Sequence, residues 1–157
     1  MFNKTSLQSE CGLDNKTFDI YFNVLEHTYT DSGVLSYLLQ ITTADEYETS
    51  HYKGNILETF VYAELIKAAT YAKKNTELYY YRTNDKKEID FILEYCSKIV
   101  AIEIKSSKTV SKSDFKHIYH LADEIPKEFD KGIVLYNGES VLKVDKNMYA
   151  IPLGFLA

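Results

Sequence analysis

The stretch Lys87-Glu88-Ile89-Asp90-Phe91-Ile92-Leu93-Glu94-Tyr95-Cys96-Ser97-Lys98-Ile99-Val100-Ala101-Ile102-Glu103-Ile104-Lys105-Ser106-Ser107 decides the fold. Polar and apolar residues alternate on both sides of Cys96-Ser97, the period of half-buried strands. Lys87–Tyr95 and Ile99–Ser106 therefore read as the two strands of a hairpin. In the first, Ile89, Phe91, Leu93 and Tyr95 share one face, and Glu88, Asp90, Ile92 and Glu94 the other. In the second, Val100, Ile102 and Ile104 oppose Ile99, Ala101, Glu103 and Lys105. A tight loop at Cys96-Ser97 and a wider one over Tyr95–Lys98 give the same register, with Asp90 across from Glu103. Opposed Cβ atoms lie about 4.5–5.5 Å apart, so two carboxylates there repel unless a cation sits between them. A one-residue slip or a bulge is the competing arrangement and would part them.

Asp90, Glu103 and Lys105 on one rigid hairpin suit a hard divalent cation, Mg²⁺ or Mn²⁺, held by carboxylate oxygens and water. Such an ion activates a water and offsets charge on a phosphodiester, and a neighbouring lysine orients that water or stabilises the developing charge. Glu64, on the apolar face of the preceding helix, is expected to complete the ligand shell, and Glu58 begins the same helix. Arg82 and Ser106 are candidate phosphate contacts. The plainer reading makes Asp90, Glu103 and Lys105 solvated residues on the wet face of an antiparallel sheet, and Glu64 an ordinary half-exposed helix acid.

Working outward, Ile56–Lys73 reads as a long helix with Leu57, Phe60, Val61, Leu65 and Ala68 on one face. Glu77–Arg82 is the strand before the hairpin, and Lys112–Glu124 is a helix after it, followed by Pro126. Gly132–Tyr136 is apolar throughout, as in a strand buried on both faces. Val141–Val144 and Met148–Ile151 read as an edge hairpin. Upstream, residues 1–43 read as a short helical segment, with a helix around Phe18–Leu25 and another from Val34 to Leu39 capped by Asp31 or Ser32. Lys16 and Thr17 would open a recognition helix if Gly12 makes a helix-turn-helix turn; otherwise the segment caps the main domain. Polar Thr42–His51 divides it from a domain over residues 52–157. The expected class is α/β (α+β), with a core of helix, three strands, helix and strand.

Composition bounds the function. At 157 residues with 45% hydrophobic and 26% charged content, the chain fits an ordinary globular domain. A net charge of -5 argues against a basic coat for nucleic acid but not against an acidic centre whose charge a cation offsets. Cys11 and Cys96 have no metal-ligand spacing and indicate no disulfide framework, so a reducing, cytoplasmic setting is expected. No apolar run approaches the roughly 20 residues that span a bilayer, and no membrane partner is expected. No GxxxxGK[ST] loop is present. His117 and His120, with Asp114, read as surface residues rather than a transition-metal site.

Several motifs in order carry a resemblance: Gly54 to Leu65 with Phe60-Val61-Tyr62-Ala63-Glu64-Leu65, then Leu78-Tyr79-Tyr80-Tyr81-Arg82, Glu88-Ile89-Asp90-Phe91, Ile102-Glu103-Ile104-Lys105-Ser106-Ser107 and Lys131-Gly132-Ile133-Val134-Leu135-Tyr136. Over Tyr52–Leu156 the chain resembles a C-terminal domain of unknown function carried by prokaryotic AAA-type ATPases. That domain in turn resembles the PD-(D/E)XK, or restriction-endonuclease-like, superfamily. The resemblance implies a metal-dependent nuclease-like domain acting on DNA, with Asp90, Glu103 and Glu64 as metal ligands and Lys105 as catalytic partner. It implies a AAA-type ATPase as a partner. The ATPase domain that usually precedes it is absent, and the hairpin of the winged-helix-like part is missing around Tyr29–Asp31. The chain is therefore expected to be a fragment, or the product of a gene that lost pieces. The alternative is a non-catalytic DNA-binding or regulatory module, or an interaction domain for the ATPase, with a vestigial site.

Overall fold

The computed structural model describes residues 31–72, 75–83 and 87–156. The expected helix at Phe18–Leu25, and with it Lys16 and Thr17, lies outside the described residues. Asp31 caps α1 (Ser32–Leu38): its Oδ1 accepts from the amides of Gly33 at 2.8 Å and Val34 at 3.1 Å. The polar stretch read as a boundary holds a second helix, α2 (Ala44–Thr49). A reciprocal cap makes it: Thr43 Oγ1 accepts from the Glu46 amide at 3.3 Å, and Glu46 Oε2 accepts from the Thr43 amide at 3.0 Å. α3 (Lys53–Tyr71) follows and buries Ile56, Val61 and Leu65.

Six strands form one mixed sheet: β1 (Thr76–Arg82), β2 (Glu88–Tyr95), β3 (Lys98–Lys105), β4 (Phe129–Tyr136), β5 (Leu142–Asp145) and β6 (Met148–Pro152). Their order across the sheet is β1-β2-β3-β4-β6-β5. The first three are antiparallel, while β4 runs parallel to both β3 and β6. Between β3 and β4 lie a 3₁₀ turn (Lys112–Phe115) and α4 (Lys116–Glu124). Only one strand of the expected edge hairpin is at the edge: β6 sits inside, between β4 and β5. Its Met148 and Ala150 are buried, and so are Val134 and Leu135 of β4.

Two cores follow from alternation in the central strands. Val61 and Leu65 of α3 pack with Phe91, Ile102 and Leu135 on one face. Phe115, Ile118 and Leu121 pack with Ile92, Ala101, Val134, Met148 and Ala150 on the other. Neighbours in sequence, Ala101 and Ile102, thus serve opposite cores, which fixes the register of β3. Gly132 lets α4 come close: a Cβ there would collide with Ile118 and with the Met148 sulfur.

The hairpin closes at Cys96-Ser97, whose φ angles of 47° and 58° lie in the left-handed region that two-residue hairpin turns require. Pairing runs from Tyr95↔Lys98 to Phe91↔Ile102, the register expected from loop length. Strict alternation in β2 does not hold. Tyr79 pairs with Ile92 and Tyr81 with Ile89, so Asp90 and Phe91 together oppose the single residue Tyr80. This bulge puts Ile89 with Ile92 in the α4-side core, while Phe91 faces α3. The extra residue shifts the phase of the strand, and it falls at Asp90.

Candidate metal centre

Asp90 stands where β2 and β3 stop pairing. Its Oδ2 accepts a 2.7 Å hydrogen bond from the Ile104 amide, so a side chain takes over from the backbone ladder. Glu103 and Lys105 lie on the face of β3 opposite Ile102 and Ile104. Lys105 Nζ donates to Glu103 Oε1 at 2.8 Å, with the two side chains 33% and 13% exposed. The second oxygen, Glu103 Oε2, is buried and has no hydrogen-bond partner. Buried carboxylate oxygens without partners are rare and costly.

The electrostatics follow from that crowding. Burial pushes the Asp90 carboxyl up to about 6, and the Glu103 charge adds to it, against the Ile104 amide and Lys105. Burial also raises Glu103, while the bond to Lys105, its charge and then the Asp90 amide pull the other way. For Lys105, burial works against its charge, but the bond to Glu103 and the charges of Glu103, Asp90 and Asp114 prevail and raise it. Two acids held above their ordinary range beside one ammonium form a centre with spare negative charge.

The helix acids divide differently from the sequence expectation. Glu64 Oε1 accepts from Lys67 at 2.6 Å, one turn along α3. Glu58 instead is raised by burial and then by the charges of Asp90 and Glu88. It is the α3 acid that feels the sheet carboxylates. Helix spacing held the signal, because Glu58 stands three residues before Val61 and seven before Leu65, both buried. Arg82 lies 3.9 Å from Glu88 at the end of β1. β3 ends at Lys105, so Ser106 lies just past it, and Ser107 Oγ donates to the Thr109 carbonyl at 2.8 Å. His120 meets Lys87 and lies 3.0 Å from Glu124, away from any second histidine contact.

Does this set suit a cation? Among the described residues, no group of three or more His, Cys, Asp and Glu side chains converges to enclose one. The donors present are nonetheless hard oxygens, one of them buried without a partner, beside a second largely buried carboxylate. Mg²⁺ commonly takes one or two carboxylates and keeps several waters, so the pair fits an ion of that kind.

The architecture and this centre define a mixed α+β domain with a carboxylate pair and a lysine at a bulged, splaying pair of strands. The chain belongs to the DUF4143 family: that domain of unknown function matches residues 53–156. The domain is commonly found with AAA-type ATPases. A search of curated proteins gives no match. No helix among the described residues is long and apolar enough to cross a membrane.

Proposed function

We propose that this domain is a metal-dependent nuclease-like module of the PD-(D/E)XK kind that acts on DNA in the cytoplasm, in company with a AAA-type ATPase. The unpartnered, buried Glu103 Oε2 beside Asp90 is the observation that carries the reading. Asp90 and Glu103 would hold Mg²⁺ or Mn²⁺, with Glu58 the nearer helix acid by its coupling to Asp90 and Glu64 the one expected from sequence. Once bound, the ion would supply Lewis acidity and a water of lowered pKa.

The chain's own groups have separate tasks. The Ile104 amide fixes the Asp90 carboxylate, so its other oxygen is presented in one orientation. Lys105 holds Glu103 Oε1 and leaves Oε2 uncommitted. Its ammonium would also meet charge building on a scissile phosphate. Incubating plasmid DNA with the full chain and Mg²⁺ or Mn²⁺ tests the reading. Cleavage that disappears in Lys105→Ala and in Asp90→Asn supports it; cleavage undiminished in both sinks it. The direct Lys105–Glu103 bond favours one second reading, in which the ammonium neutralises the site permanently and the domain binds without cutting.

A further inference from the structure

Beside the acidic centre lies an aromatic surface that the hydrolytic residues do not use. β1 carries the run Tyr79-Tyr80-Tyr81, and its outer rings are tied down by their hydroxyls: Tyr79 donates to Glu77, and Tyr81 donates to Glu124 at 3.3 Å. Tyr80 is held by rings instead. Its centroid is 5.3 Å from that of Phe91 and 6.4 Å from that of Tyr62, the latter nearly parallel at 18°. Phe91 is fully buried, so the Tyr80 ring rests on a fixed base, yet Tyr80 itself is 71% exposed. A large aromatic residue anchored from beneath and open to solvent is a stacking platform.

Its position gives the platform a meaning. Tyr80 is the one residue that faces the Asp90-Phe91 bulge. Tyr62 stands one helical turn after Glu58 on α3, and the Glu58 charge acts on Tyr80. Leu78 of β1 packs into the α3-side core, so by alternation Tyr80 and Arg82 share that face. Aromatic ring and guanidinium therefore share the α3 side, with the Asp90 bulge across from the ring and Glu58 acting on it, while Glu103 and Lys105 project from the other face of β3. A flat ring beside a cation, at the spacing of alternate strand residues, matches a base and its phosphate.

We infer that Tyr80, seated on Phe91 and Tyr62, stacks with an unpaired nucleobase across from the Asp90 bulge, which makes single-stranded or locally unpaired DNA the preferred ligand. This rests on the nucleic-acid part of the proposed function and not on its hydrolytic part. A base inside a duplex stack has no free face for Tyr80, whereas a strand with unstacked bases does. Base–aromatic stacking is tolerant of sequence, so the preference is for strand state rather than base identity.

Anisotropy titration of the full chain with a fluorescent dT15 oligonucleotide and with a hairpin duplex, in EDTA to prevent cleavage, tests the inference. The expected result is tighter binding of dT15, a loss of about tenfold or more in Tyr80→Ala, and near-complete retention in Tyr80→Phe, which keeps the ring. The duplex constant should move little. Thermal unfolding of each variant checks that the exposed substitution leaves the fold intact. Equal affinity of wild type and Tyr80→Ala for dT15, equal losses in Tyr80→Ala and Tyr80→Phe, or no binding of dT15 by wild type would each overturn the platform. Mn²⁺ titration of wild-type protein freed of EDTA separates the readings: heats without dT15 binding reject only the platform, and dT15 binding without heats rejects only the metal centre.

Discussion

The Asp90 carboxylate accepts the Ile104 amide at 2.7 Å, across the point where β2 and β3 part. An acid thus replaces a backbone carbonyl as acceptor at a place that also crowds it against Glu103. The consequence for stability is specific. Burial and the Glu103 charge push Asp90 up to about 6 in the folded chain, from an ordinary value of 3.8. Between those values the folded chain holds a proton that the unfolded chain has lost, so this group's contribution falls as pH rises through that window. The full span corresponds to about 3 kcal/mol. Asp90→Asn keeps an acceptor for Ile104 and removes the charge. It should raise the unfolding free energy at pH 7 by about 1–3 kcal/mol, with the gain vanishing near pH 4. Chemical denaturation at the two pH values checks this, and a loss of stability at pH 7 would contradict it.

Lys105 should behave in the opposite sense. It supplies the hydrogen bond and nearby positive charge that the Glu103 carboxylate receives at Oε1. Lys105→Ala leaves a largely buried acid with no such neighbour and should cost about 1–3 kcal/mol at pH 7, discounted for the partial exposure of the lysine. The combined Glu103→Gln and Lys105→Met chain should regain most of that loss, as measured by urea unfolding.

The two helix glutamates are distinguishable. Glu58 is coupled to Asp90 and Glu88, whereas Glu64 is paired with Lys67 on the surface of α3. Glu58→Gln should therefore lower the Asp90 pKa, followed by the side-chain carboxyl resonance in NMR, and should weaken Mn²⁺ binding. Glu64→Gln should leave both unchanged. Equal effects from the two substitutions would contradict the assignment.

A test of the fold lies far from the carboxylates. Gly132 is placed where a Cβ would strike Ile118 of α4 and Met148 of β6. Gly132→Ala should destabilise by about 1–3 kcal/mol through displacement of the helix or the inner strand. A melting temperature equal to wild type would show that α4 does not rest on β4 as described.

Much of this was readable before any coordinates. Loop length set the β2–β3 register because Cys96 and Ser97 accept the left-handed turn, and the apolar phases of β3 and β4 follow from burial on both faces. A bulge was among the alternatives the hairpin allowed, but its place at Asp90 and against β1 was not readable, since it arises from pairing with Tyr80 on a third strand. The place of β6 inside the sheet was equally hidden, because five residues with alternating burial look the same at an edge or beside a parallel neighbour. α2 was legible and missed: Thr43 and Glu46 have the spacing of a capping box. Glu58 was overshadowed by Glu64 because helix spacing alone places both near the buried side of α3. Only the charges around each separate them.

Metal binding should carry its own pH dependence. Asp90, Glu103 and Glu58 are all held above their ordinary range, and each must lose its proton to ligate. Mn²⁺ affinity should be level above pH 7 and fall about tenfold per pH unit below about 6 if one proton is displaced. A constant affinity from pH 5 to 8 would exclude these acids as ligands.

The central claim is that Glu103, with one oxygen buried and unpartnered, is built to take a cation together with Asp90. Calorimetric titration of Mn²⁺ into the wild-type chain and into Glu103→Ala at pH 7.5 addresses it most directly. The account predicts a saturable heat in the wild type that is absent from the folded variant. Equal heats in both, or no heat in the wild type, would contradict it.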